Sequence, residues 1–198
     1  MKYVSQSFMT EPIRFWEVDP AVWRMVIETN VNSPLYMGRS VVPHMLRAGW
    51  GRIINISMNR ETMRRFGFSP YGPSKAALES EPAIWAQNLS GRGVTVNALL
   101  PGGATETGMI LPGVPETLRR RLLRSEIMVP PLLWLALEKS QSLTGRLIVA
   151  TQWHGNAAAG RVSPKAIEES ARQRHSPRVL RPTHRAVLFT ARRNCASC

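Results

Sequence analysis

Cysteine, acidic residues and long apolar runs are all scarce in this sequence. It contains 2 cysteines and 13 acidic residues against 26 basic ones, and no apolar run reaches the length of a membrane span. Because a transmembrane helix needs about 20 consecutive apolar residues, none is predicted. The start of the chain, Met1 to Ser7, also lacks the apolar stretch of a secretory signal, so a cytoplasmic location is the default prediction.

The two cysteines, Cys195 and Cys198, form a Cys-x-x-Cys pair at the C-terminus. A redox pair of this kind would begin a helix in a βαβ unit, and a zinc site would need a second ligand pair at suitable spacing. Neither context accompanies them. The pair is interpreted as incidental, and no metal site is predicted.

The shortage of acidic residues is most marked in residues 171–198. This segment has no Asp or Glu but seven arginines: Arg172, Arg174, Arg178, Arg181, Arg185, Arg192 and Arg193. Because it also lacks apolar periodicity, we predict a disordered tail. The arginines could neutralise phosphates, but only Phe189 interrupts them as an aromatic residue, so nucleic-acid binding is a minor alternative.

The composition is that of a globular protein, with 43% apolar and 20% charged residues. A chain of 198 residues suits one domain. We divide it into an irregular segment at 1–18, an α/β domain at 19–152, a linker with a short helix at 153–170, and the Arg-rich tail at 171–198.

The first part of the domain predicts two helices. Asp19 is a favourable N-cap, and Pro20 suits the first helical position, so a helix is expected to continue over 21–29. Pro34 then removes a backbone donor and disfavours helix at the preceding residue. A second helix is expected over 35–47, and the two should meet at a kink near Asn30.

Three short segments are rich in β-branched and other apolar residues, which is typical of strands buried on both faces of a parallel sheet. They are residues 52–57, 94–100 and 143–150. Helices are predicted over 72–89 and 130–136, and loops over 58–70 and 102–128. Strands that alternate with helices in this way predict an α/β fold with a doubly wound parallel sheet.

Tyr71 and Lys75 are four residues apart at the predicted start of the 72–89 helix, so their side chains should project from one face. A tyrosine hydroxyl can act as a general acid if a nearby ammonium lowers its pKa, and that ammonium can also hold a ribose. On its own the spacing is common. A solvated lysine one turn from a packed tyrosine would have the same pattern.

The motifs around this pair make it specific. A buried strand ends in Ile-Asn-Ile-Ser before the tyrosine, Val96-Asn97-Ala98 lies in the next strand and leads to Pro101-Gly102, and Asn30 lies in an Asn-Val-x-x-Pro stretch upstream. Over roughly residues 10–152 the sequence resembles the short-chain dehydrogenase/reductase family. The resemblance implies a partial Rossmann-like sheet whose three strands are equivalent to the family's fifth, sixth and seventh.

The same resemblance implies an NAD- or NADP-dependent oxidoreductase that acts on a small alcohol or carbonyl substrate. Tyr71 would be the catalytic acid/base, Lys75 would bind the nicotinamide ribose and lower the pKa of Tyr71, and Asn30 would hold a water in the proton relay. The nicotinamide end would contact four residues: Pro101, Gly102, Gly103 and Ala104. A homo-oligomer formed through the Tyr71 helix is also implied, whereas Asn97 is expected to be structural.

The sequence departs from the family at the catalytic serine, because that position holds Met58. Its neighbour Ser57 should point to the opposite face of the strand and cannot simply substitute. A thioether donates no hydrogen bond to a developing alkoxide, and losing such a donor typically costs about 3 kcal/mol in the barrier. Asn59, Thr62 or Ser69 could supply a replacement.

Two further departures concern the fold. Pro82 lies inside the Tyr71 helix, where it should delete a backbone hydrogen bond and kink or fray the helix. Residues 1–30 contain no glycine-rich turn for a pyrophosphate, so we expect the first four strands of the family to be missing. The first strand would then be an open edge, and a truncated, non-catalytic remnant is the alternative function.

Arg60, Arg64 and Arg65 lie in the loop that precedes Tyr71. Arginines so placed could bind a carboxylate or phosphate on a substrate. The simpler interpretation is a solvated basic loop. The sequence does not choose between NAD and NADP.

Overall fold

The computed structural model describes residues 13–110 and 112–153, and the backbone of 167–169. The predicted tail at 171–198, its two cysteines, and most of the segments predicted at 1–18 and 153–170 lie outside these residues. Within the first segment, Phe15–Glu17 form a 3-10 helix rather than irregular chain.

The two helices predicted on either side of Asn30 form one helical run. Helix α1 spans Pro20–Ile27, a π-helical turn follows at Glu28–Asn32, and α2 continues over Ser33–Ala48. The predicted cap is confirmed, since the Asp19 carboxylate accepts a hydrogen bond of 2.7 Å from the Ala21 N–H. At the position of the predicted kink the chain accommodates an extra residue in one wide turn, a device that recurs at functional sites.

The predicted parallel sheet is confirmed. Strands β1 (Gly51–Ile56), β2 (Val94–Leu100) and β3 (Arg146–Val149) lie in that order and run parallel. A fourth strand, β4 (Ile167–Glu169), pairs antiparallel with β3. The short helix predicted for the linker is therefore wrong at residues 167–169, because pairing with a strand distant in sequence overrides local helical preference.

Helix α3 (Arg60–Met63) and helix α4 (Tyr71–Asn88) connect β1 to β2. The loop predicted over 58–70 therefore contains a helical turn. Pro82 is buried, yet α4 runs without interruption from end to end, so the predicted fraying is wrong. The two ends of α4 lie beside the carboxyl end of β1 and the start of β2, respectively.

The connection from β2 to β3 is also more regular than predicted. It contains α5 (Glu116–Arg119) and α6 (Val129–Leu135), with 3-10 turns at Ser125–Met128 and Glu138–Ser140. An isolated β-bridge pairs Thr105 with Leu123 and closes the base of the loop between them.

Apolar side chains pack on both faces of the sheet. On one face Leu99, Leu135 and Ile148 are almost completely buried beside Trp134. On the other, Leu89 and buried valines of β2 pack with side chains of β1, α2 and α4: Ile53, Val42, Met45 and Trp85. Each fully buried aliphatic side chain contributes about 1.5–3 kcal/mol, so these clusters hold α4 and the strands in fixed relative positions.

Strand β1 lies at the edge of the sheet among the residues that the structure describes. The Gly51 N–H donates to the Gly93 carbonyl at 3.2 Å, and the Ser57 N–H donates to the Leu99 carbonyl at 2.9 Å. In a parallel ladder alternate residues bond to the same neighbour. The backbone groups of the residues in between, such as Ile54 and Ile56, therefore face the open side, as the sequence predicted.

Candidate active site

The first turn of α4 places Tyr71 and Lys75 on one face, as their spacing predicted. The Lys75 Nζ lies 5.8 Å from the centre of the Tyr71 ring. Both residues stand where β1 has just ended, at the carboxyl edge of the parallel strands. This edge is where open α/β sheets bind ligands.

The Lys75 ammonium donates a 3.1 Å hydrogen bond to the Ile56 carbonyl. That carbonyl is one of the β1 groups that face the open side of the sheet, so Lys75 satisfies an acceptor that β2 does not reach. Burial lowers the pKa of Lys75 from its ordinary value because it disfavours the charged ammonium.

Burial acts on Tyr71 in the opposite sense and raises the pKa of its phenol. The resemblance implied a lowered pKa for this tyrosine. In this arrangement burial is the cause of the shift in the pKa of Tyr71, and it adds to the preference for the protonated phenol at neutral pH.

The π-helical turn brings Asn30 against the start of α4. The Asn30 side-chain amide donates a 3.0 Å hydrogen bond to the Ser74 hydroxyl, which in turn donates to the Tyr71 carbonyl at 2.7 Å. Ser74 is completely buried. The sequence pointed to Asn30 but not to Ser74, although Ser74 stands between Tyr71 and Lys75 in the same turn.

Ser57 and Met58 follow β1 directly. Ser57 is buried, and its Oγ has no hydrogen-bond partner within the described part of the chain. Met58 is half-buried and brings a thioether to the position that the resemblance assigned to the catalytic serine. The site therefore has a buried hydroxyl next to the required position, on a residue that alternates to the other side of the strand.

The residues predicted to contact the nicotinamide, Pro101 to Ala104, lie just beyond β2. The Pro101 carbonyl accepts a 3.1 Å hydrogen bond from the Thr151 N–H, which ties the ends of β2 and β3 together. Gly102 has a φ of 94°, and a Cβ there would come within 2.0 Å of the Thr151 hydroxyl oxygen. The backbone turn at this edge therefore requires glycine.

Asn97 has the structural role that was predicted. It is 1% exposed, donates to the Leu143 carbonyl at 2.8 Å, and accepts from the Arg146 N–H at 3.1 Å. The side chain thus joins β2 to both ends of the turn that leads into β3.

Two carboxylates of α4 were not singled out from the sequence. Burial raises the pKa of Glu81 to about 7, although a hydrogen bond of 3.4 Å from the Asn55 amide opposes the shift. Glu79 is buried and forms an ion pair with Arg60 at 3.4 Å. The available signal was two acidic residues in the middle of a helix that packs on a sheet.

This ion pair also bears on the three loop arginines. Arg60 is engaged with Glu79, and the guanidinium of Arg65 lies 5.8 Å from the Phe68 ring centre. Arg64 is exposed and lines an open groove of about 1060 Å³ along α4. Tyr71 and Lys75 do not line this groove, although their neighbours Gly72 and Ala76 do.

No group of three or more His, Cys, Asp or Glu side chains that could hold a metal ion occurs among the residues described. Within the same residues, no helix is both long and apolar enough to cross a membrane.

Solved structures share this fold. The TT0495 protein of Thermus thermophilus superposes with a TM-score of 0.62 at 24% identity over 70% of this chain and 63% of its own. A gluconate 5-dehydrogenase from Burkholderia cenocepacia, solved with NADP and tartrate, gives 0.63 at 20% identity over 70% and 58%. The observed sheet and helices are therefore part of a Rossmann-like α/β fold.

Sequence comparisons identify the family. Residues 8–112 match the short chain dehydrogenase family. An acetoacetyl-CoA reductase of Allochromatium vinosum is 32% identical over 153 residues, which cover 72% of this chain and 61% of the relative. The 3-oxoacyl-acyl-carrier-protein reductase FabG of Pseudomonas aeruginosa is 38% identical over 101 residues, or 51% of this chain and 40% of the relative.

The chain belongs to the short-chain dehydrogenase family, whose members named here are oxidoreductases. It spans 61% or less of the length of these two relatives. The resemblance stated from the sequence is thereby confirmed for family and fold.

Proposed function

We propose that this chain carries the acid/base site of an NAD(P)-dependent oxidoreductase, which transfers a hydride between the nicotinamide and a small alcohol or carbonyl substrate. The observation that carries the proposal is the placement of Tyr71 and Lys75 on one face of α4, at the carboxyl edge of the sheet. A buried phenol beside an ammonium is suited to exchange a proton with a substrate oxygen.

The described residues fit one end of the cofactor. Lys75 would hold the nicotinamide ribose, and the backbone from Pro101 to Ala104 would lie against the nicotinamide. When bound, the nicotinamide would supply or accept the hydride. No glycine-rich turn before a helix occurs in the described ranges to hold a pyrophosphate, so these residues support a nicotinamide cofactor in general and no choice between NAD and NADP.

Tyr71 would donate its hydroxyl proton to the carbonyl oxygen during reduction and recover it from the alcohol during oxidation. Because burial raises the pKa of Tyr71, the protonated phenol predominates at neutral pH and favours the reductive direction. Oxidation should speed up as the pH rises toward the pKa of Tyr71. Asn30 would orient a water in the proton relay behind Lys75.

A small-molecule carbonyl is the proposed substrate class. The relatives named acetoacetyl-CoA reductase and 3-oxoacyl-acyl-carrier-protein reductase make a 3-oxoacyl thioester a reasonable first test. We also propose a homo-oligomer that pairs through α4, because Leu35, Met37 and Ile84 expose apolar surface on α2 and α4. The cytoplasmic location remains a proposal.

A second candidate, a family member with little or no catalytic activity, is favoured by Met58. Losing one oxyanion donor costs about 2.7–4 kcal/mol, a factor of about 10² to 10³ in rate. If neither Ser57 nor a loop side chain compensates, the chain would keep the family's fold and its Tyr71–Lys75 pair while turning over slowly or not at all.

The test is oxidation of NADH or NADPH by the purified chain with acetoacetyl-CoA, followed by the loss of reduced-nicotinamide absorbance. The Tyr71→Phe variant removes only the hydroxyl and is the matched control. We expect turnover that Tyr71→Phe lowers at least about 100-fold. Equal activity in the two proteins would refute the role of Tyr71, and no cofactor binding in a fluorescence titration at millimolar concentration would favour the second candidate.

A further inference from the structure

Ser74 is the point at which two helices meet through polar atoms next to the candidate catalytic pair. Its hydroxyl contacts Asn30 in the π-helical turn and the carbonyl of Tyr71 in α4. We infer that Ser74 is a positioning residue that aligns the first turn of α4, and with it Tyr71 and Lys75, against the π-helical turn. This inference rests on the proposed function in that Tyr71 is the acid/base.

The directions of the two hydrogen bonds follow from the atoms involved. The Tyr71 carbonyl can only accept, so the single hydroxyl proton of Ser74 is committed to it at 2.7 Å. The Ser74 oxygen then has lone pairs for the Asn30 amide, which donates at 3.0 Å. The result is a directional chain from Asn30 through Ser74 to the backbone of Tyr71.

Water has no access to the serine in this chain, because Ser74 is 0% exposed. Removing its hydroxyl would leave the Asn30 amide with one fewer acceptor at a part-buried position. A buried polar group that loses its partner is destabilised more than the bond itself contributes, so the two helices would move to recover a partner.

No side chain caps the start of α4, so the contact with Asn30 is a side-chain hydrogen bond that ties this first turn to another helical element. The N-cap residue is Pro70, which makes no side-chain hydrogen bond to the first turn. Backbone bonds hold the turn from within the same loop, such as the Ser74 N–H to the Pro70 carbonyl at 3.1 Å. The contact between Ser74 and Asn30 bridges 44 positions of sequence and relates the turn to a different helix.

Alignment matters at this position because Ser74 precedes Lys75 directly and follows Tyr71 by three residues. A shift of about 1 Å in a reacting group can lower a rate by about 10²-fold. The expected effect of losing the hydroxyl is therefore on kcat, with little change in the KM for substrate.

The test compares Ser74→Ala with Ser74→Thr, which keeps the hydroxyl, and with Ser80→Ala. Ser80 is a matched control, since its hydroxyl makes the same local bond to a carbonyl three residues earlier, 2.7 Å to Ala77, but is exposed. We expect Ser74→Ala to lower kcat at least about tenfold with KM changed less than about twofold. Ser74→Thr should recover most of the rate, and Ser80→Ala should match the parent.

A second measurement does not depend on turnover. The sequence has 3 tyrosines, so the Tyr3→Phe, Tyr36→Phe background leaves one tyrosine ring resonance in a 13C-labelled protein. Ser74→Ala should shift this resonance and lower its alkaline titration midpoint, because a looser first turn admits water to a phenol whose pKa burial has raised. Ser74→Thr and Ser80→Ala should superimpose on the parent.

Superimposable resonances and midpoints for Ser74→Ala and the parent would overturn the inference, whether or not the protein turns over. A shifted resonance in a chain without turnover would support the positioning role and count against the proposed function alone. If Ser74→Ala does not fold, Asn30→Ala removes the donor and keeps the bond from Ser74 to Tyr71. It should shift the resonance in the same direction, and no shift would equally overturn the inference.

Discussion

Replacing Glu81 with glutamine should remove a pH dependence of stability that α4 imposes on the fold. Glu81 faces the Asn55 amide at 3.4 Å, and burial raises the pKa of its carboxyl from 4.5 to about 7. The folded protein therefore holds a proton on Glu81 between about pH 4.5 and pH 7 that the unfolded chain releases.

The sign follows from this proton. Since the folded-state pKa is raised, Glu81 does not lower the free energy of unfolding below about pH 4.5. That free energy falls as the pH rises from about 4.5 to about 7, because the buried carboxyl must then lose its proton. In full, the rise in the pKa of Glu81 from 4.5 to about 7 corresponds to about 3.4 kcal/mol. Because Glu81 is only partly buried, solvent screening reduces the expected loss to about 1–2 kcal/mol.

The assay is urea denaturation at about pH 5 and about pH 8 for the parent, Glu81→Gln and Glu61→Gln, where Glu61 is an exposed acid that serves as the control. The gain from Glu81→Gln should be about 1–2 kcal/mol larger at the higher pH, and Glu61→Gln should show no such difference. An equal effect of Glu81→Gln at both pH values would refute the reasoning, because it would mean that Glu81 titrates alike in the folded and unfolded chain.

Three other substitutions test the site and its support. Met58→Ser should raise kcat by about 100-fold or more in the reductase assay, since it restores a donor worth about 3 kcal/mol; no gain would mean that another hydroxyl already serves. Gly102→Ala should lower the free energy of unfolding, measured by urea denaturation, by at least about 2 kcal/mol, because the φ of 94° and the contact with Thr151 both exclude a Cβ. An unchanged urea midpoint would contradict that geometry. Asn97→Ala should cost about 2–3 kcal/mol by the same method, whereas a cost below about 0.5 kcal/mol would mean that its two buried bonds are replaced.

Local sequence signals were sufficient for the elements that carry the candidate site. β2 was predicted over the residues it occupies, and β1 and α4 within one residue at each end, because β-branched runs and flanking glycines mark their limits. Tyr71 and Lys75 could be placed on one face from the helical period alone. Their roles, like those of Asn30 and the backbone after β2, remain predictions.

The features that the sequence did not predict depend on contacts between distant residues. β4 forms through its pairing with β3. The π-helical turn contains an extra residue that no local sequence motif indicates. Pro82 was expected to disrupt α4, but the helix is continuous and the proline is buried within the fold. Ser74 depends on Asn30, 44 positions away, and the shifted pKa of Glu81 depends on burial against β1.

The extra residue in the π-helical turn also sets the phase between α1 and α2. One residue rotates a helix by about 100°, so the same sequence wound as a regular α-helix would present a different side of α1 to the rest of the molecule. Val26, which is 2% exposed, would then turn toward solvent, and Asn30 would leave Ser74. A single-residue deletion within 28–32 would therefore preserve helicity while breaking the contact between α1 and α4. Helix content and correct folding can thus be separated experimentally at this turn.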